Sequence, residues 1–235
     1  EILNRTKDQW KGKVKLVFQP AEENGGGGRE MIKAGLMDEI PDACFALHVE
    51  NGIPGKIVVG SRYLTAYSDS YKITVHGKAA HSSTPEEGVD AVYIAASIVT
   101  ALHGIISRNL SPMDRATLNV GMIHGGTAPN IIADEVTLGV MLRNLSKESR
   151  EAMMKKIETI SNGIAESMGG SCDVAFRAGY AAVYNDEKFS DFVAATFRKY
   201  EDIIHVDFGD GKPEDWLITG EHPLLGAEDF GFYSQ

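Results

Sequence analysis

Two adjacent carboxylates and one histidine are the residues of this sequence best suited to chemistry. Glu22 and Glu23 come soon after the apolar run 14–18, and His48 closes the next apolar run. In metal-dependent hydrolases a carboxylate and an imidazole can hold a divalent cation, while a second carboxylate moves protons. The residue types therefore predict metal-assisted hydrolysis. The alternative is that the glutamates begin a solvated helix and that His48 is a core histidine, since most glutamates lie on surfaces.

A predicted strand over 13–18 explains how neighbouring glutamates can have different tasks. Pro20 cannot lie inside a central strand, so Glu22 and Glu23 fall where the strand gives way to a loop. Adjacent residues on extended backbone point in opposite directions, so one carboxylate can bind a metal while the other stands aside. Ligands bind at the carboxyl ends of strands in open α/β sheets, and a predicted strand over 43–49 brings His48 to the same edge.

Hydrophobic periodicity predicts the elements that position these residues. At the two ends of the chain we predict strands over 13–18, 43–49 and 55–60 and a short helix over 27–37. The middle of the chain is predicted to contain a strand over 69–76, a helix over 88–107, strands over 116–124 and 131–143, a helix over 147–168 and a strand over 172–178. This β-α-β-β-α-β order is the ferredoxin-like arrangement. The predicted fold class is α/β, with a ferredoxin-like domain inserted between two parts of an α/β domain.

Both long helices have boundary signals. Thr84-Pro85-Glu86-Glu87 offers a capping hydroxyl, an early proline and a glutamate three residues on, which predicts the start of the first helix. Its predicted apolar side consists of Val92, Ala95, Ala96, Val99, His103 and Ile106. The second helix is predicted to end at Gly169–Gly170.

Five segments of the chain occur in an order that is informative as a set: QPAEENGGGG, ALHVENGIPGKI, HGKAAHSSTP, GGTAPNIIADEV and GAEDFGFY. Together they resemble the metal-dependent amidohydrolase/peptidase family of aminoacylases, hippurate hydrolases, auxin-conjugate hydrolases and N-acetyl-diaminopimelate deacetylases, and most of all its amidohydrolase branch. The resemblance covers essentially the whole chain. It implies a di-metal hydrolase catalytic domain formed by 1–65 and 178–235, with a lid/dimerisation domain inserted over 66–177.

Two segments of the family pattern are absent from the sequence. These are a Cys-Gly-His-Asp-like stretch ahead of PAEE and a histidine after GAEDF, and the chain begins at Glu1 without an initiator methionine. We therefore expect a fragment that supplies only part of a two-metal shell and that can be inactive by itself. Whether a signal peptide precedes it stays open.

The resemblance implies roles for the first three candidates. Glu22 is expected to be the general base, and Glu23 and His48 are expected to be metal ligands. Two divalent ions are implied, zinc or manganese first and nickel or cobalt as alternatives, because carboxylate and imidazole ligands suit all four.

Three further candidates lie in the predicted lid. The resemblance implies that His81 reaches the active site of a partner subunit in a homodimer and stabilises an oxyanion there. It also implies that Asn130 and Arg143 bind the free carboxylate of the substrate, where a guanidinium can bind bidentately. The alternatives are an exposed loop histidine at 81 and a surface charge at Arg143.

The remaining features are open or depart from the family pattern. Glu228 and Asp229 are interpreted either as groups that orient a metal ligand or, for Asp229, as the start of a helix. The glycine run 25–28 lacks the Gly-Lys-Ser/Thr of a phosphate loop and is expected to let the backbone turn and open a helix. The sequence departs from the family pattern at two places: Asn24 is followed by four glycines, and Ala133 replaces the usual proline.

The predicted function is hydrolysis of the amide bond of N-acyl amino acids. The alternatives are a metallo-dipeptidase or carboxypeptidase of the same family, and a non-catalytic dimerisation module. A net charge of −10 argues against nucleic-acid and anionic-membrane partners. Cys44 and Cys172 are too few and too far apart for a disulfide framework, and the composition predicts a cytoplasmic protein.

Overall fold

The computed structural model describes residues 1–51, 55–202 and 216–234 of the chain. Its helices are α1 (Ile2–Arg5), α2 (Glu22–Gly25), α3 (Gly27–Lys33), α4 (Ala91–His103), α5 (Ile105–Asn109), α6 (Lys147–Ser167) and α7 (Glu187–Lys199). Its strands are β1 (Ile57–Gly60), β2 (Arg62–Tyr63), β3 (Tyr67–His76), β4 (Ala80–His81), β5 (Ala116–Gly125), β6 (Ile131–Ile132), β7 (Glu135–Asn144), β8 (Ser171–Ala178), β9 (Tyr184–Asn185) and β10 (Leu217–Gly220). Short 3₁₀ turns lie at Lys7–Gln9, Pro85–Glu87 and Asp229–Ser234.

The middle of the chain is a four-stranded antiparallel sheet covered by helices on one face. Its strand order is β5-β7-β3-β8, and β3 pairs along its whole length with β7, from Tyr67 opposite Asn144 to His76 opposite Glu135. Helix α4 follows β3 and helix α6 follows β7. The predicted ferredoxin-like β-α-β-β-α-β arrangement is therefore confirmed.

One apolar layer holds this sheet to its helices. Alternate residues of the two central strands point toward α4 and α6, as the period of two in a strand requires. The layer is fully buried at Ile73, Val75, Leu138, Leu142, Ile94, Ile98, Leu102, Met153 and Ile157. Burial of each such side chain is worth about 1.5–3 kcal/mol, so this layer is the main source of stability for the sheet and its helices.

The first long helix begins later than predicted, and its buried face matches the predicted one only in part, since Ala95 is buried and Val99 and Ile106 pack against the core. Pro85–Glu87 forms a separate 3₁₀ turn, and Asp90 is the N-cap of α4, accepting hydrogen bonds from Val92 N and Tyr93 N at 2.9 and 3.0 Å. The buried face consists of Ala91, Ile94, Ala95, Ile98 and Leu102, whereas Val92 and His103 are exposed. The helix is apolar on nearly every side, so its pattern could not identify the face that packs on the sheet.

The second long helix follows its prediction. Ser146 caps α6 by accepting a hydrogen bond from Ser149 N. Gly169 has φ +81°, and Gly170 N donates to Ala165 O at 2.9 Å, the pattern by which a left-handed glycine ends a helix. The same device at Gly35 ends α3 at Lys33, four residues before the predicted end at 37.

Two predicted strands are wrong. Residues 13–18 and 43–49 belong to no strand of the described chain. Their apolar side chains are exposed, and Phe18 and Val49 reach 85% and 91% exposure. An apolar extended segment becomes a strand only where a neighbour supplies ladder hydrogen bonds, and no described strand lies alongside these segments. The predicted strand over 55–60 is confirmed as β1, which pairs in parallel with β10.

The four-stranded sheet meets the rest of the chain at the start of β3. Ala66 N donates to Gly226 O at 2.9 Å, and Ser68 N donates to Tyr180 O at 3.0 Å. These two bonds connect the chain at the start of β3 to the segments that contain Tyr180 and Gly226. The domain limits 1–65, 66–177 and 178–235 stay a prediction.

A buried ion pair stabilises the same junction. Asp69 is almost fully buried and accepts two hydrogen bonds from Arg150, at 2.6 and 2.9 Å. The Arg150 guanidinium lies over the ring of Tyr67, and Gly179 N also points to Asp69 at 3.4 Å. Helix α6 is thereby fixed to the point where the chain leaves β8. Across the described residues, no helix is both long and apolar enough to cross a membrane.

Candidate active site

The segment that carries the two glutamates contains left-handed backbone conformations and a close backbone contact, which restrict the residue types it can hold. We call residues 19–28 the glutamate segment. Ala21 has φ +56°, a left-handed conformation that costs a non-glycine residue about 1–3 kcal/mol. Gly26 has φ +63°, and a side chain at Gly27 would place its Cβ 1.7 Å from Pro20 O. The glycine run therefore lets the chain fold back on itself and open α3, as predicted.

Three carboxylates meet beside this segment. The nearest oxygens of Glu22, Glu228 and Asp229 all lie within 4.8 Å of one another. Burial raises the pKa of Glu22, and the negative charges of Glu228, Glu23 and Asp229 raise it further. Burial also raises the pKa of Glu228, against a hydrogen bond from Phe230 N that lowers it. Glu22 is thus held in surroundings that increase its affinity for a proton, which suits a general base.

His48 stands close enough to these acids to act on them electrostatically. Its charge lowers the pKa of both Glu22 and Glu228. Its Nδ1 lies 2.8 Å from Val49 O, and because a carbonyl can only accept, Nδ1 carries the proton. In the neutral ring Nε2 is then the nitrogen with a lone pair for a metal.

The predicted ligands Glu23 and His48 are not members of the 4.8 Å group. Glu23 is exposed, and its charge acts on Glu22. Their assignment as metal ligands stays a prediction.

The donor set nevertheless fits a divalent cation. Within the described parts of the chain, no lysine or arginine forms an ion pair with Glu22, Glu228 or Asp229. Close carboxylates repel one another unless protons or a cation neutralise them, and carboxylate oxygens with an imidazole nitrogen suit zinc, manganese, nickel and cobalt.

Tyr180, on the chain that leaves β8, supports Glu22, and no local sequence pattern pointed to this residue. Its hydroxyl donates to the main-chain oxygen of Glu22. Its ring lies against Gly26, where a Cβ would be 3.1 Å away, and meets Phe232 edge-on at 6.0 Å between centroids. Arg29 donates to Gly179 O beside it. The phenol of Tyr180 thus links the chain that leaves β8 to the glutamate segment, and Arg29 adds a contact next to it.

Arg143 lies at the end of the four-stranded sheet that is nearest to Glu228. Its Nη1 donates to Leu225 O at 2.9 Å, three residues before Glu228. The guanidinium is half-buried on β7 opposite Ser68. The structure therefore brings Arg143 to the side of the sheet where the three carboxylates lie.

His81 and Asn130 lie together at the other end of the sheet. His81 pairs with Ile131 across β4 and β6, and Ser82 N donates to Asn130 O at 3.0 Å. His81 Nδ1 accepts a hydrogen bond from Ser83 N at 3.2 Å. In the neutral ring the proton then sits on Nε2, so exposed His81 offers an N–H donor to solvent.

The length of β3 separates His81 and Asn130 from the end of the sheet where Arg143 and Glu22 lie. β3 starts beside Tyr180 and ends at His76, before the turn that leads to His81. Ten strand residues span about 30 Å, so within one chain the sheet keeps His81 and Asn130 away from Glu22. His76, at the end of β3, lies 2.9 Å from Asp173 and 3.7 Å from Glu135 near the surface.

The comparisons with known proteins agree with this architecture. Residues 66–168 match the M20 peptidase dimerisation domain. The chain is 34% identical over 97% of its length to an N-acetyldiaminopimelate deacetylase from Oenococcus oeni, of which it covers 57%. The middle of the chain is therefore an M20 peptidase dimerisation domain, and the chain as a whole is similar to amidohydrolases and peptidases.

Two further proteins show the range of this similarity. The chain is 31% identical over its whole length to thermostable carboxypeptidase 2 from Saccharolobus solfataricus, of which it covers 56%. A dinuclear metal-binding peptidase of the M20 family from Bacillus subtilis has a similar structure, with a TM-score of 0.77, 25% identity, and coverage of 99% of this chain and 56% of that one. The chain spans somewhat more than half the length of the curated relatives it matches.

Proposed function

We propose that the full-length protein hydrolyses the amide bond of N-acyl amino acids with the help of two divalent metal ions. One observation carries the proposal: Glu22, whose pKa is raised, lies in a group of carboxylates next to His48. Whole-length similarity to an N-acetyldiaminopimelate deacetylase supports an acylated amino acid as the substrate.

The metals would be held in part by Glu23 and by Nε2 of His48. A dinuclear site in the structurally similar Bacillus subtilis peptidase supports two ions. When bound, such ions lower the pKa of a water molecule and polarise the acyl carbonyl. Zinc and manganese are the first choices for both positions, with nickel or cobalt as alternatives.

Glu22 supplies the proton transfers. It takes a proton from the attacking water and later gives it to the nitrogen of the leaving amino acid. The Tyr180 hydroxyl, bonded to the Glu22 carbonyl, limits the movement of the carboxylate during both steps. Arg143, half-buried at the site end of β7, binds the substrate carboxylate.

His81 and Asn130 act on a partner subunit in a homodimer. The separation along β3 supports this arrangement, since one chain does not bring His81 to its own Glu22. β5 is an edge strand, and it exposes Met122 and Ile123 at 57% and 54%, which supports an interface along that edge. The Nε2–H of His81 would stabilise the oxyanion in the partner's site, and Asn130 would add a donor to the substrate carboxylate.

The test is release of free amine from a panel of N-acetyl and N-benzoyl amino acids by the full-length protein. Manganese or zinc is added in one series and a chelator in another. We expect chelator-sensitive release by the wild type. We also expect loss of turnover in Glu22→Gln with metal still bound, because the amide cannot accept a proton. No release from any substrate with metal present would overturn the proposal.

A metallo-carboxypeptidase or dipeptidase is the second candidate function. Similarity over the whole chain to thermostable carboxypeptidase 2 favours it. Peptides with free carboxyl termini belong in the same panel for this reason, and faster cleavage of peptides than of N-acyl amino acids would select this candidate.

A non-catalytic dimerisation module is the remaining alternative, based on the domain match over 66–168. It predicts concentration-dependent dimers that bind no metal. The cytoplasmic location stays a prediction from composition.

A further inference from the structure

Asp229 connects the two ends of the glutamate segment. Its carboxylate is completely buried. Oδ1 accepts a hydrogen bond from Gln19 Nε2 at 2.6 Å, and Oδ2 accepts one from Gly28 N at 2.9 Å. Gln19 is the first residue of the segment and Gly28 is the last. A single side chain, more than 200 residues away in sequence, therefore closes the loop that carries both glutamates.

The surrounding contacts fix Asp229 and Gln19 against each other. The Tyr233 hydroxyl donates to Gln19 Oε1 at 2.6 Å, so the amide of Gln19 is bound at both its oxygen and its nitrogen. A side chain at Gly28 would bring its Cβ to 2.9 Å from Gln19 Oε1 and 3.1 Å from Asp229 O. Glycine at this position lets the two ends of the loop approach the buried carboxylate.

Both oxygens of Asp229 are thus engaged by donors of the glutamate segment. Glu228, beside it, receives one hydrogen bond from Phe230 N and is half-buried. We propose that Asp229 is a positioning residue, which ties both ends of the glutamate segment and so determines where Glu22 and Glu23 stand. The proposal rests on the proposed function for its catalytic consequence, but the tie itself can be measured without activity.

Replacement of Asp229 by Asn removes one of the two acceptors without a change in shape, and Asp229→Ala removes both. An amide has a single acceptor oxygen, and its NH₂ group cannot accept from Gly28 N–H or from Gln19 NH₂. The matched rescue is Gln19→Glu combined with Asp229→Asn. In that pair the new amide donates to the new carboxylate and its oxygen accepts from Gly28 N–H, while the Tyr233 hydroxyl keeps an acceptor.

The first experiment measures hydrogen exchange in the metal-free, full-length protein. We expect peptides that cover the glutamate segment to exchange faster in Asp229→Ala, less so in Asp229→Asn, and to be protected as in the wild type in the double variant. The control is Ile157→Ala, which removes a fully buried side chain from the layer beneath the sheet, far from the segment in sequence. Asp229→Ala is measured alongside, because a rotated Gln19 amide can accept from an amide at position 229 while its NH₂ donates to the Tyr233 hydroxyl. Unchanged exchange of the segment in Asp229→Ala overturns the inference, whatever the protein hydrolyses.

The second experiment measures kcat and KM of the same variants on the best N-acyl amino acid. Loss of a group that orients a metal ligand or catalytic group costs about 10- to 100-fold in activity. We expect that loss in kcat for Asp229→Ala, a smaller one for Asp229→Asn, little change in KM, and recovery to within a few-fold in the double variant. An equal loss of kcat in Ile157→Ala, or none in Asp229→Ala, overturns the positioning role. A wild type that releases no amine overturns the proposed function, and the exchange experiment still decides whether the tie exists.

Discussion

The hydroxyl of Tyr180 donates a hydrogen bond to the main-chain oxygen of Glu22. Tyr180 lies directly after the last strand of the sheet, and its own carbonyl accepts a hydrogen bond from Ser68 N at the start of β3. One residue therefore contacts both the sheet and the candidate general base. A change in the angle between the sheet and the rest of the chain would be transmitted to Glu22 through this contact.

Tyr180→Phe tests that contact. It removes the donor and keeps the ring that packs on Gly26 and Phe232. A hydrogen bond of this kind is worth about 0.5–1.5 kcal/mol, so we expect kcat to fall by about three- to tenfold with KM nearly unchanged. Steady-state kinetics on an N-acyl amino acid measure the effect. The control is Tyr93→Phe on the exposed side of α4, which should match the wild type. An unaltered kcat in Tyr180→Phe would contradict a role in orienting Glu22.

The raised pKa of Glu22 predicts a pH-dependent cost to the metal-free fold. Burial and the neighbouring Glu228 raise the pKa of Glu22 above its ordinary value of 4.5, so the folded chain binds this proton more tightly than the unfolded chain. The stability that the group contributes is full below the ordinary pKa and is lost as pH rises through the raised one. Glu22→Gln does not titrate, so its melting temperature should exceed that of the wild type at neutral pH.

Thermal melts in chelator between about pH 5 and about pH 8 measure this difference. We expect the advantage of Glu22→Gln to shrink toward the acid end of the range. Glu86→Gln, a change at an exposed acid in the 3₁₀ turn Pro85–Glu87, is the matched control and should show no such trend. A difference that stays constant with pH would show that Glu22 is not the group responsible.

Local patterns predicted the middle of the chain well. The alternation of apolar and polar residues in β3 and β7, and the end of α6 at Gly169, are short-range sequence signals. Both agree with the ferredoxin-like topology. Helix α4 was harder, because Val92 is as apolar as Ile94 yet only Ile94 is buried. Periodicity cannot choose a face when both faces are apolar, and the packing partner decides.

The candidate site was only partly predictable for a different reason. Glu22, Glu23 and His48 stand out by residue type and by motif, and the structure brings His48 within electrostatic range of Glu22. The contacts of Gln19 with Asp229 and of Tyr180 with Glu22 join residues far apart in sequence. No local spacing encodes such pairs, so only the folded chain reveals what holds the glutamates in place.

The position of Arg143 predicts a change in substrate binding. A charge-assisted hydrogen bond is worth about 1.5–3 kcal/mol, so Arg143→Ala should raise KM by about ten- to a hundredfold for substrates with a free carboxylate. Initial rates on an N-acyl amino acid and on the matching amide that lacks the carboxylate measure the effect. Arg177→Ala, at an exposed arginine of β8, is the control. An equal loss on both substrates would contradict carboxylate binding by Arg143.

The buried ion pair of Asp69 and Arg150 predicts a loss of stability that does not depend on catalysis. Removal of one partner of a buried ion pair costs about 3–5 kcal/mol, because the other charge is left without compensation. We expect that decrease in the free energy of unfolding for Asp69→Asn, measured by denaturant titration. The double variant with Arg150→Met should recover part of it. Lys33→Met, which breaks the exposed pair with Glu30, should change stability very little.

The separation of His81 from Glu22 predicts that two inactive variants restore activity when mixed. In a homodimer with shared sites, a His81→Ala chain lacks the donor that its partner needs, and a Glu22→Gln chain lacks the base of its own site. A mixed dimer then contains one site with Glu22 from one chain and His81 from the other. Random exchange of subunits in equal amounts makes half of the dimers mixed, so about a quarter of wild-type activity should return.

Subunit exchange followed by an amine-release assay makes the measurement, with each variant alone as the baseline. The control pair is Glu22→Gln mixed with Arg143→Ala. Arg143 lies at the same end of the sheet as Glu22 and is expected to serve that site. A mixed dimer of this pair therefore has one site without a base and one without the guanidinium, and it should recover little activity. Equal recovery in the two mixtures, or none in the first, would contradict the contribution of His81 to the partner subunit's site.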